Sequence, residues 1–238
     1  MRIRSWGMTV ALVGADGAGK STLARLLRDA DLPRPVETVY MGVNLEASTL
    51  MLPTTWLLLA AKRRRGGRPD LVATDLGARP GTPTGPGARA RRPARELARF
   101  AVWSTEEWLR QVVVALHSAR GRIVVFDRHF VADYWHADAA AVGAGEARRG
   151  AASRAHGWLL RNLYPRPDLT LCLDAPAEVL YARKPEASVA WLEERRRQYL
   201  ALDSVVPRLV VLDAVRPIEA VLAEAVDAIA AEWKARKA

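Results

Sequence analysis

The run Gly14-Ala15-Asp16-Gly17-Ala18-Gly19-Lys20-Ser21-Thr22 places Gly14, Gly19, Lys20 and Ser21 at the spacing of a loop that wraps phosphate oxygens. Glycines let backbone N–H groups converge on an anion with no Cβ in the way. A helix starting at the end of such a loop adds partial positive charge. Lys20 supplies a compact cation suited to the β- and γ-phosphates of a nucleotide, and the Ser21 hydroxyl is of the type that holds Mg²⁺. The chain has 31 Arg and five Lys. One of the few lysines therefore stands where a point charge suits the chemistry better than a planar fork. A glycine-rich turn with no ligand is the plain alternative.

The elements around the loop fit it. Met8–Val13 is an apolar run of strand length, and Leu23, Ala24, Leu26 and Leu27 fall on one face of a following helix. Further strand-like runs occur at 36–41, 122–126, 169–173 and 209–212. Helical patterns occupy 21–30, 94–119, 146–163, 177–183, 189–202 and 217–234. In the second of these, Leu97, Phe100, Ala101, Trp108, Val112 and Leu116 make a mostly apolar stripe near the 3.6-residue period. Strands alternating with helices imply an α/β domain with a parallel sheet covered on both faces, and sites in such sheets lie at the carboxyl ends of the strands. Four features fall there: the glycine loop, Asp127-Arg128, Asp174 and Asp213. Asp127 follows Ile123-Val124-Val125-Phe126, a natural place for an acid that holds a Mg²⁺ water or takes a proton from an acceptor hydroxyl. It could equally cap the next segment.

The net charge of +10 is concentrated. Residues 62–95 hold ten basic residues and two acids, with six Gly and five Pro, and so account for +8 of it. That composition predicts a flexible basic insertion in one domain spanning 1–238. Directly before it, Leu50–Ala61 is apolar but too short to span a bilayer. The run reads either as a buried helix or as part of a surface that touches anionic lipid or a lipid-linked substrate. One cysteine, Cys172, excludes an internal disulfide and sits in the apolar run 169–173, where a buried, inert thiol is expected. The four histidines show no metal-ligand spacing. No secretory signal precedes the first strand, and a cytoplasmic protein, peripheral to a membrane at most, is the expectation.

Taken together, these motifs resemble the thymidylate kinase-like branch of the nucleoside monophosphate kinases. The resemblance rests on the internal Asp16-Gly17 of the loop, on Asp127-Arg128-His129, on Pro167–Pro176 with its Leu173-Asp174 turn, on Tyr181-Ala182-Arg183-Lys184, and on Asp213-Ala214 before the last helix. It implies a P-loop kinase fold with strand order 2-3-1-4-5, a lid over residues 183–198, and transfer of the ATP γ-phosphate to an acceptor with Mg²⁺. Gly14 and Asp16 to Thr22 would then bind the nucleotide, and Ser21 and Asp127 the metal. Lys20, Asp127, Arg128 and Arg183 would carry the transfer, with Lys184 and Arg195, Arg196 and Arg197 as further lid cations. Asp133, Tyr134 and His136 would read the acceptor.

The acceptor side departs from that family. Where it carries Arg-Glu-Pro-Gly, this chain has Tyr40-Met41-Gly42-Val43-Asn44, and the position of its phosphate-pairing Arg corresponds to Ser104. Each lost Arg removes a charge-assisted phosphate contact. The expectation is therefore a small-molecule kinase that is not dTMP-specific, its acceptor a nucleotide, a sugar or a lipid-linked alcohol, with a homodimer left open. The competing class is a P-loop ATPase or nucleotide switch that uses the basic insertion to bind nucleic acid or an anionic membrane. The insertion lacks interleaved aromatics for base stacking, which argues against nucleic acid.

Overall fold

A computed structural model describes residues 7–41, 86–136 and 151–237. The apolar run at 50–61 and most of the basic insertion lie outside these residues. Five parallel strands form one sheet: β1 (Met8–Val13), β2 (Val36–Tyr40), β3 (Ile123–Asp127), β4 (Leu169–Asp174) and β5 (Leu209–Asp213), in the order β2-β3-β1-β4-β5. That is the order the resemblance implied. The helices are α1 (Lys20–Arg28), α2 (Pro86–Ala119), α3 (Phe130–Tyr134), α4 (Ala151–Asn162), α5 (Ala177–Arg183), α6 (Val189–Leu200) and α7 (Ile218–Ala235).

Right-handed crossovers dictate the layering. The chain moves one way from β1 to β2 and the other way through β3, β4 and β5, so α1 falls on one face and α2, α4 and α6 on the opposite one. The contacts agree: α1 packs on α7, whereas α2 packs on α4 and against β2 and β3. Strands covered on both faces must be apolar throughout, and Val10, Leu12, Val124, Val125, Leu169 and Leu171 are fully buried. Each such side chain contributes about 1.5–3 kcal/mol of burial energy. Leu23 and Leu27 of α1 and Ala225 and Ile229 of α7 close one side of the core.

Parallel register brings the carboxyl ends level. Leu12, Tyr40 and Asp127 lie abreast, as do Asp174 and Asp213. At the opposite end, Asp168 accepts from the Thr9 amide and hydroxyl at 2.8 Å each, which ties the entry of β4 to β1.

Two expectations change. Helix α2 begins at Pro86, so residues 86–95 of the basic insertion are helical and not loop. Proline suits a first helical position, because the N–H it lacks would have no partner there. The apolar stripe of α2 is also not its buried face. Trp108, Val112 and Leu116 are exposed, while Glu106, Glu107, Arg110 and Gln111 are buried. Periodicity located a stripe correctly, but long-range polar partners chose the other side of the helix to bury.

Candidate phosphate-binding site

The loop between β1 and α1 reverses the chain through left-handed backbone. Gly14 has φ 141°, and a Cβ there would lie 2.4 Å from the Leu173 carbonyl oxygen. Gly17 has φ 87° with its would-be Cβ 2.7 Å from the Leu180 carbonyl. The loop is thus pressed against the end of β4 and the middle of α5, and only glycine fits at those two points. Gly19, also left-handed, stands directly before the first turn of α1, with no side-chain cap on the helix amides. Uncapped amides at a helix start are groups of the kind that can meet an anion.

Lys20 is buried, and its Nζ donates to the carbonyls of Gly14 at 2.7 Å and Ala15 at 2.9 Å. Burial lowers its pKa to about 8, and the neighbouring Arg128 lowers it further against the pull of Asp16, Asp133 and Asp127. An ammonium held in this way lacks a full counter-charge. Ser21 and Thr22 are exposed on the first turn of the helix.

Asp127 ends β3 beside Leu12, and its charge acts on Lys20. Its Oδ1 is buried and has no hydrogen-bond partner among the described residues. A carboxylate oxygen in that condition is costly unless something cationic or protic meets it. Arg128 follows with φ 73°, a left-handed conformation rare for a residue with a side chain. The strain, about 1–2 kcal/mol, is held by a 2.8 Å ion pair from Arg128 Nη2 to Asp16 Oδ1. Burial alone would lower the Arg128 pKa, yet Asp133 and Asp16 raise it, so the guanidinium is firmly charged. The Asp16 carboxyl is held below its usual range: burial pushes up, but Lys20, Arg128, Lys184 and Arg195 together outweigh it. His129 completes the turn by capping α3, its Nδ1 accepting from the Val131 amide at 3.3 Å. It can do so only unprotonated, and burial, aided by Arg166, lowers its pKa to about 3.

The cations of 183–198 separate into different roles. Arg183 Nη1 donates to the Ala214 carbonyl at 2.8 Å. It lines a cavity of about 580 Å³ together with Gly17, Ala18, Gly19, Thr22 and the 214–218 segment. Arg195 instead lies on the Asp133 side, donating to the Tyr199 hydroxyl at 2.7 Å and standing 3.8 Å from Asp133. Arg196 forks onto Asp174 at 2.6 and 2.8 Å, and Arg197 pairs with Glu194 on the exposed face. Lys184 pairs with Glu186 at 3.1 Å.

The three acceptor candidates are engaged by neighbours. Asp133 accepts from the Tyr199 hydroxyl at 2.9 Å. The His136 Nε2 lies 2.8 Å from the Gln198 carbonyl. Tyr134 meets His156 edge-on at 5.3 Å. Asp133 on α3 and His136 just past it therefore both reach α6. Asp213 accepts from the Val215 amide at 2.9 Å and shapes the turn that walls the cavity. Cys172 is buried, as expected, and burial, with Asp174 nearby, pushes its thiol up to about 12.

A second polar group escaped the sequence reading. Arg110, fully buried, donates to the Met41 carbonyl and to Glu106, each at 3.1 Å. Glu107 accepts from the Tyr164 hydroxyl and lies 3.2 Å from His156 Nε2. The hint was present as charged residues clustered in the middle of a helix, but their partners, Met41 just past β2, His156 on α4 and Tyr164 just past it, are far away in sequence.

No family model matches the chain, and no curated protein matches it.

Proposed function

We propose that the chain is an ATP- and Mg²⁺-dependent phosphotransferase of the thymidylate kinase-like type, acting on a small-molecule acceptor. The observation that carries this reading is the buried Lys20 ammonium. It is held by two carbonyls of its own loop at a helix start, and Asp127, whose charge acts on it, has a buried carboxylate oxygen with no partner among the described residues. A buried cation and an orphaned buried anion are each costly, and together they make a binding site for a polyanion with its metal. The P-loop kinase fold is part of the proposal, supported by the strand order and by the place of the loop after β1.

The residues fit the implied groups. The loop amides and Lys20 would hold the phosphates, and the 580 Å³ cavity between Thr22, Arg183 and Ala214–Ile218 suits the base. Ser21 and Asp127 would hold Mg²⁺, which supplies charge neutralisation at the transferring phosphoryl group. Arg128, paired with Asp16 and kept charged by Asp16 and Asp133, would add positive charge near Lys20. Arg195 is the cation of α6 best placed to join it. Asp127 can also accept the proton of an acceptor hydroxyl.

Calorimetric titration of Mg-ATP tests the reading. The wild-type chain should bind in the micromolar range or better, and Lys20→Ala should bind at least about tenfold more weakly, as loss of a charge-assisted contact implies. Equal affinity in a folded Lys20→Ala protein would remove the assignment.

A further inference from the structure

We propose that the face formed by Trp108, Val112 and Leu116 of α2 with Trp158 of α4 and Leu163 just past its end docks against an anionic lipid surface. These side chains are 38%, 54%, 51%, 53% and 48% exposed. Trp108, Val112 and Leu116 repeat every four residues and so form one stripe. Trp108 stacks on Tyr164 at 5.4 Å, and Leu163 precedes that tyrosine, so the stripe runs onto α4. Between Ala101 and Ala119 every exposed described position of α2 is uncharged, and the charged Glu106, Glu107 and Arg110 are buried behind it. An ordinary surface helix has the opposite arrangement. Keeping those charges inside requires satisfied partners, which Tyr164, His156 and the Met41 carbonyl provide.

Charge selects the occupant. Helix α2 has 34 residues and so is about 50 Å long. Its sequence before the apolar stripe reads Arg89, Arg91, Arg92, Arg95 and Arg99 against a single Glu96. On α4, Arg154 and Arg161 are exposed and lie one helical turn to either side of Trp158. An apolar, tryptophan-bearing face with Arg154 and Arg161 beside it, and strongly basic sequence preceding it on α2, matches a leaflet whose headgroups are negative. A second copy of the chain would bring the same arginines toward one another. No helix among the described residues is long and apolar enough to cross a membrane, so the contact would lie along the surface. This proposal does not depend on the nucleotide reading.

The test is co-sedimentation of the full chain with phosphatidylcholine vesicles, with and without an equal part of phosphatidylserine, at low and high salt. Binding should require phosphatidylserine and weaken with salt. Val112→Ser combined with Leu116→Ser should bind at least about tenfold more weakly, two aliphatic side chains having lost their transfer from water. Replacing Arg154 and Arg161 with Gln should cost roughly fivefold per arginine at low salt. All four positions are exposed, and thermal unfolding identifies the variants that remain folded. Three results would each overturn the proposal: no binding by the wild type, equal binding by the serine variant, or equal binding to neutral vesicles. Sedimentation equilibrium supplies a fourth: a dimer that the serine variant dissociates would show that a second copy covers this face.

Discussion

The phosphate loop and the α2–α4 layer both bury charge, but they do it by different routes. In the loop, Lys20 is enclosed by carbonyls five and six residues away, and its charge is left short of a full counter-ion. In α2, Arg110 and Glu107 reach partners 69 and 57 residues distant and are closed off by them. On the proposed reading, the first arrangement keeps an unmet charge for a ligand. The second spends its charges on holding β2, α2 and α4 together, and turns an apolar face outward as the result. Buried charge therefore marks a binding site only where its compensation is incomplete.

Removing one charge from each region should separate the two roles. Arg110→Met should lower stability by about 3–5 kcal/mol, because Glu106 stays buried beside an apolar group. Chemical denaturation measures it, and the variant that remains folded should bind Mg-ATP unchanged. If nucleotide affinity falls while stability holds, the α2 cluster belongs to the site and the contrast fails.

A smaller effect is expected at Asp127. Asp127→Asn should retain nucleotide binding and lose a factor on the order of 10² in phosphoryl transfer. Single-turnover rates at saturating Mg-ATP give the number. An unchanged rate per bound complex would make Asp127 a scaffold residue.

The pH dependence is smaller still and sharpens the same comparison. With Lys20 titrating at about 8 in the free protein, a polyanion meets an ammonium below that pH and an amine above it. Nucleotide affinity should fall by up to about tenfold per unit as pH rises past 8, until the raised pKa of the bound state is reached. The fold should respond with the opposite sign. Between 8 and the ordinary 10.5 the unfolded chain holds the extra proton, so stability rises with pH in that window. Calorimetry and denaturation over pH 7 to 10 check both signs. A flat affinity profile would show that Lys20 does not titrate there.

What could be read from the sequence follows the same division. The β1-loop-α1 unit is contiguous, and its glycines, lysine and hydroxyl residue are constrained by one local geometry, so residue type and spacing disclosed it. The strand order followed from a resemblance carried by similar local turns, Asp127-Arg128 and Leu173-Asp174. The inversion of α2 was illegible because Tyr164, His156 and the Met41 carbonyl decide it, and no periodicity within residues 94–119 contains them. The pairing of Asp133 with Tyr199 and Arg195 was hidden for the same reason: each side chain is an ordinary surface residue until α3 and α6 are brought together.

The central claim is phosphoryl transfer from ATP to a small acceptor. It is tested most directly by Mg-dependent ADP release across a panel of nucleotides, sugars and lipid-linked alcohols, run with the wild type and Lys20→Ala. Acceptor-dependent ADP release by the wild type is expected. With Lys20→Ala it should fall by a factor on the order of 10³, as loss of a charge aimed at the transferring group implies. Among the acceptors dTMP should be poor, given Tyr40-Met41 and Ser104 at the family's arginine positions. ADP release by the wild type that no acceptor stimulates, or that Lys20→Ala leaves intact, would contradict it.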